Sequence, residues 1–158
     1  MIALHRRLLN IIISVFIMLS ASLAYSDLVF DSGWVRALPP TQPNTAAFFR
    51  LTNNSGDAVI LKQVSSDIAA KAEYHTHSKG ENGMMAMRQL KQVVIEPKAT
   101  VEFKPGGYHV MLFDLVRPLK SGEQVEIRLI DSDGKQYAFN LPVKSPMEEP
   151  SHGHHHHH

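Results

Sequence analysis

Between residues 28 and 143 no stretch of the chain keeps a helical period, while short runs of alternating apolar and polar residues recur. That pattern restricts the fold to strands. The candidate runs are 28–37, 46–52, 58–64, 72–77, 85–94, 100–103, 109–115, 124–130 and 136–143. In one of them Val125, Ile127 and Leu129 alternate with Glu126 and Arg128, so three apolar side chains share one face. Turn signals separate the runs: Asn53-Asn54-Ser55-Gly56, Lys79-Gly80, Pro105-Gly106-Gly107, Ser121-Gly122 and Asp131-Ser132-Asp133-Gly134. Asp133-Gly134 between two alternating runs predicts a hairpin. Short strands at this spacing predict an all-β sandwich. The chain has no cysteine, so its stability must come from the core and not from disulfides.

The ends differ from this body. Arg6 and Arg7 precede an apolar stretch, Ile11 to Leu19, followed by the small residues of SASLAYS. This reads as a signal peptide over 1–26, cut after Ala24 or Ser26. The apolar stretch is shorter than the roughly 20 residues that a membrane span needs. The expectation is export to the periplasm, with no stable membrane insertion after cleavage. A single domain then covers 27–144, with Leu38–Pro43 as a stiff connection. From 145 to 158 the composition turns to Pro, Glu, Ser, Gly and His, which predicts a disordered His-rich tail. The leader holds two of the 16 Lys+Arg and no acid, which leaves 14 basic against 15 acidic residues. A near-neutral chain with no basic stripe does not read as a nucleic-acid binder.

Histidine and methionine are gathered, not scattered. His75 and His77 share the segment EYHTHSKGENGMMAMRQL with Met84, Met85 and Met87, and His109 and Met111 lie in PGGYHVM. The remaining histidines past the leader, His152, His154, His155, His156, His157 and His158, crowd the last seven residues, with Met147 upstream. A lone methionine in a β protein usually fills a core gap, and at least one of Met84 and Met85 is expected to do so. A lone histidine beside a turn is usually solvated. The clustering argues for metal instead. His109 and Met111, two apart on a strand, point to one side, as do His75 and His77. The Pro105-Gly106-Gly107 turn puts His109 near a strand end, where access is expected. A strand pair could thus offer two imidazoles and two or three thioethers to one ion. Imidazole with thioether is a soft set that selects Cu(I), and without a thiolate it is not a blue-copper site. Structural zinc would more commonly use cysteine or further hard ligands.

These segments resemble the PCuAC family of periplasmic copper chaperones, linked to assembly of the CuA centre of cytochrome c oxidase. The family pattern is a His, ten residues, a Met, twenty-one residues, then His-x-Met. Here Met87 is followed by 21 residues and then His109-Val110-Met111. NGMMAMR and KPGGYHVMLFDLVRPLKSGEQVEIRL also look like the family. The resemblance covers roughly residues 28 to 143. His75 departs from it, with 11 residues before Met87, as though the turn 78–83 held one extra. The resemblance implies a cupredoxin-like or immunoglobulin-like β-sandwich with His75, Met87, His109 and Met111 around Cu(I). His77 competes with His75 for the first place, and Met85 is an additional candidate. Some family members carry His- and Met-rich tails implied to hold Cu(II). That would give His152 and His154–His158 a role if the tail is natural and not an expression tag.

The functional expectation is a carrier, not an enzyme, since no acid–base pair, nucleophile or thiolate supports catalysis. Its implied partner is an apo copper protein, such as the CuA domain of cytochrome c oxidase, or another periplasmic copper carrier. Copper sequestration is the alternative, and a redox copper protein the more distant one.

Overall fold

A computed structural model of the chain describes residues 28–80 and 83–145. The expected leader (1–26) and the tail histidines lie outside these residues. Ten strands and no helix occur among them. In order they are β1 (Leu28–Arg36), β2 (Thr45–Asn53), β3 (Val59–Ser65), β4 (Ala69–Lys79), β5 (Met85–Leu90), β6 (Val93–Ile95), β7 (Thr100–Phe103), β8 (His109–Leu115), β9 (Gln124–Asp131) and β10 (Gln136–Lys144). The chain is all-β, as its alternation predicts. One expected run, 85–94, is two strands broken at Lys91-Gln92. β5 pairs with β4, whereas β6 pairs with β3. The same apolar run therefore serves two different neighbours, and the chain must turn between them.

The strand path is β5-β4-β8-β2-β1-β10-β9-β3-β6, with β7 beside β2. It folds back on itself at a short parallel contact, where Val35 pairs with Val143 and Arg36 with Lys144. The two halves face each other across one core. From one side come Phe49, Leu51, Tyr74, Val110 and Leu112, and from the other Leu61, Val64, Ile127, Leu129 and Leu141. The Phe49 ring stacks on Phe103 at 4.4 Å and meets Phe139 edge-on at 5.2 Å. The Tyr74 hydroxyl donates to the Gln63 carbonyl at 3.0 Å, tying β4 to β3 across the gap. Each fully buried Leu or Phe contributes about 1.5–3 kcal/mol by leaving water. The Asp133-Gly134 hairpin forms as expected: β9 and β10 pair in register from Ile130–Gln136 to Gln124–Pro142.

Gly33 is closely approached by its neighbour strand β2 and by Leu141 of β10. A Cβ there would lie 2.6 Å from the Phe48 carbonyl oxygen, 2.6 Å from the Phe49 Cβ and 2.9 Å from Leu141 Cδ2. Two of those atoms belong to or adjoin the backbone of β2 and cannot swing away. Gly33→Ala should therefore cost about 1–3 kcal/mol through overpacking. Urea unfolding checks this, and an unchanged midpoint would contradict the close approach.

This core decides which face of β4 and β8 looks outward. Tyr74, Val110 and Leu112 are buried inside. Their alternating neighbours His75, His109 and Met111 must then lie on the outer face of the sheet.

Candidate metal centre

Cross-strand register assembles the outer face. His75 on β4 stands directly opposite His109 on β8, and Glu73 stands opposite Met111. On the other side of β4, His77 stands opposite Met87, and Lys79 opposite Met85. Directly opposed residues have Cβ atoms about 5 Å apart and diagonal ones about 7–8 Å apart. His75 is therefore the common neighbour: His109 beside it, Met111 diagonal on one side, Met87 diagonal on the other. His77 is close to Met87 and diagonal to His109. It lies about 14 Å from Met111, four residues along and one strand across.

The rings bear this out in part. The His75 and His109 ring centroids are 5.9 Å apart, and those of His77 and His109 are 5.1 Å apart. Phe48 from β2 lies 6.4 Å from His109, and Trp34 from β1 packs on Phe48 at 5.3 Å. These neighbours cover His109, which is only 3% exposed. The expectation of an accessible His109 at a strand end is thus corrected. It lies beside the turn, but under a lid of rings. The expectation that Met84 or Met85 sits in the core also fails: they are 69% and 59% exposed, and Met87 is 49% exposed. They sit at and beyond the start of β5, an edge strand of the sheet, where no second layer covers them.

Hydrogen bonds leave specific nitrogens free. His109 Nδ1 donates to the Gly107 carbonyl at 3.0 Å, which turns the lone pair to Nε2. That carbonyl is placed by the Pro105-Gly106 turn, where Gly106 has φ +79° and Gly107 N–H donates to the Lys104 carbonyl at 3.0 Å. Pro then Gly with positive φ is the type II pattern. Burial pushes the pKa of His109 down, so its ring favours the neutral, donor-competent form. His75 Nε2 donates to Glu73 Oε2 at 2.8 Å. The Glu73 carboxyl is held below the usual range, first by that bond and then by Lys71, whose Nζ is 2.9 Å away. The Nδ1 atoms of His75 and His77 are buried without a hydrogen-bond partner. Buried imidazole nitrogens are rarely left unsatisfied. A histidine whose remote N–H is tied to a carboxylate or a backbone carbonyl, with its other nitrogen free, is the arrangement of a metal ligand.

No group of three His, Asp or Glu among the described residues is arranged to hold an ion. An ion on this face would need thioethers to complete its shell, and these favour Cu(I). Met87 and Met111 flank the imidazoles, so the donor chemistry fits copper. Met87 lies at the exposed edge of this face, whereas His109 is covered. A cleft of about 270 Å³ between β3 and β4–β5, lined by Lys62, Tyr74, Leu90 and Lys91, contains none of the imidazoles or thioethers. Sequence reasoning missed Glu73, Phe48 and Trp34. The Glu-x-His spacing of Glu73 and His75 was the available signal for the first. The aromatic cover depends on strand order and left no signal.

The fold and this face together define a small β-sandwich with the architecture of PCuAC domains. The PCuAC domain of PmoF1 in its apo form superposes with TM-score 0.64 at 22% identity, covering 77% of this chain and 96% of that one. The copper-bound PCuAC domain of PmoF2 gives 0.65 at 19% identity, with 78% and 97% covered. The solution structure of CuI-DR1885 from Deinococcus radiodurans gives 0.62 at 31% identity, with 83% and 85% covered. The chain belongs to the LpqE-like family, whose model, described as "Putative lipoprotein LpqE-like", matches residues 28–143. A protein of Leifsonia xyli subsp. xyli (strain CTCB07), "Putative lipoprotein Lxx21020", is 34% identical over 116 residues, 72% of this chain and 68% of that protein. RP573 of Rickettsia prowazekii (strain Madrid E) is 30% identical over 119 residues, 72% of this chain and 65% of that protein. The chain thus spans about two thirds of the length of these two curated relatives. No helix among the described residues is long and apolar enough to cross a membrane.

Proposed function

We propose that this chain is a periplasmic copper chaperone that binds one Cu(I) through His75, Met87, His109 and Met111 and delivers it to an apo copper protein. The observation that carries this reading is the in-register His75–His109 pair on the outer face, flanked diagonally by two thioethers. The remote nitrogens of both imidazoles are already tied down, to Glu73 and to the Gly107 carbonyl. A relative at 31% identity, DR1885, has a structure in its CuI form. The acceptor is a CuA domain of cytochrome c oxidase or another periplasmic copper carrier.

Delivery favours neutral, replaceable ligands at the surface. Thioethers are such ligands, and Met87 is half exposed on an edge strand. A partner could replace Met87 first, while the buried His109 holds the ion. The test is anaerobic mixing of the Cu(I)-loaded protein with an apo CuA domain. The CuA spectrum should appear under oxidising workup and copper should leave the chaperone. Retention of copper by this chain would favour sequestration.

His75 rather than His77 is assigned to the site because only His75 neighbours both Met87 and Met111. In competition with a Cu(I) chelator, His75→Ala should lose more affinity than His77→Ala. The reverse order would place the ion one face-repeat nearer the β4–β5 hairpin.

A further inference from the structure

We infer that the β4–β5 hairpin carries a second, outer Cu(I) position made by His77 and Met85, with Met87 as the donor shared between it and the inner position. This rests on the copper reading above and extends it with a path for the ion.

The register gives the argument. His75, His109 and Met111 form one trio: two residues directly opposed, and a thioether diagonal to the first imidazole. His77, Met87 and Met85 repeat that geometry one step along β4. Met87 is directly opposite His77, and Met85, opposite Lys79, is diagonal to it. All six lie on the outer face. Among the described residues, Met87 is the only strand thioether adjacent to both imidazoles of β4. An ion on the outer trio therefore lies one ligand exchange from the inner one.

Two independent features need this explanation. First, Met84, Met85 and Met87 are all exposed, the last two on the edge strand β5 and Met84 just before it, and none fills a gap in the core. Exposed thioethers contribute little to folding, whereas as soft donors they select Cu(I). Second, His77 Nδ1 is buried and lacks a hydrogen-bond partner. His77 stands two residues farther along β4 from Met111 than His75 does. Its own nearest thioethers are Met87 and Met85.

The two positions differ in strength. The inner imidazoles are held by Glu73 and by the Gly107 carbonyl, whereas among the described residues no such partner holds His77 Nδ1. The Lys79 ammonium beside Met85 adds repulsion, although it can extend into solvent. A second monovalent ion about 7 Å from the first should bind roughly tenfold to hundredfold more weakly. The outer position is thus suited to capture and release, and the inner one to holding.

The test is an anaerobic Cu(I) titration of the chain from Asp27 onward, labelled with ¹³C at the methionine methyls, each signal assigned by a Met→Leu variant. Met111 and Met87 should shift during the first equivalent. Met85 should shift only with further copper, and His77→Ala should abolish that later shift while leaving the Met111 shift unchanged. The inference is overturned if Met85 moves together with Met111, never moves, or moves unaltered in His77→Ala. It is also overturned if His77→Ala removes the Met111 shift, which would place His77 in the inner shell. A wild-type titration in which Met111 itself stays still would overturn the underlying copper assignment, whatever Met85 does.

Discussion

Met111→Leu is expected to leave the sandwich folded and to weaken Cu(I) binding by at least about 100-fold. Changes to the groups that merely orient metal ligands already cost about 10–100-fold, and a thioether that touches the ion should count for no less. The substitution keeps volume and removes only sulfur, so folding should change by less than about 1.5 kcal/mol. Met111 also points away from the Val110 and Leu112 core layer, so little packing is at stake. Competition with a Cu(I) chelator measures the loss, and Met84→Leu serves as the control expected to bind normally. If Met111→Leu binds as tightly as the parent, the assigned shell is wrong.

Phe49→Ala should be the most damaging single truncation in the core. Phe49 is 2% exposed and joins three elements, stacking on Phe103 of β7 and meeting Phe139 of β10 while held in β2. Removing a buried phenylalanine costs about 3–5 kcal/mol, a large share of the roughly 5–15 kcal/mol that keeps a domain folded. At about 4–8 °C per kcal/mol for a domain near 100 residues, the melting temperature should fall by at least about 12 °C. Metal affinity of the remaining folded protein should change little, because Phe49 faces inward and the imidazoles outward. A loss under 1 kcal/mol would argue against one core shared by both layers.

How far the sequence alone reached can be judged at particular residues. Alternation put Val125, Ile127 and Leu129 on one face, and all three are buried. It also put His109 and Met111 on one face, and His75 and His77 on one face, since a period of two is a local property. It could not say which face is covered. That required Tyr74 and Val110 to meet the opposite layer, a fact of tertiary pairing. Nor could local pattern find the break at Lys91-Gln92, because 85–94 reads as one run whichever strands it pairs with. The burial of His109 under Phe48 follows from β2 lying beside β8, which no local signal encodes. The exposure of Met84 and Met85 has the same origin: an edge position is a property of strand order, not of residue type.

Two imidazoles and two thioethers sharing one ion on the outer face are the central expectation. Copper K-edge X-ray absorption on the chain from Asp27 onward, loaded anaerobically with half an equivalent of Cu(I), tests this most directly. Two nitrogen and two sulfur scatterers are predicted around copper, falling to one sulfur in Met111→Leu and in Met87→Leu. A shell of nitrogen alone, or a sulfur count unchanged by both substitutions, would contradict it.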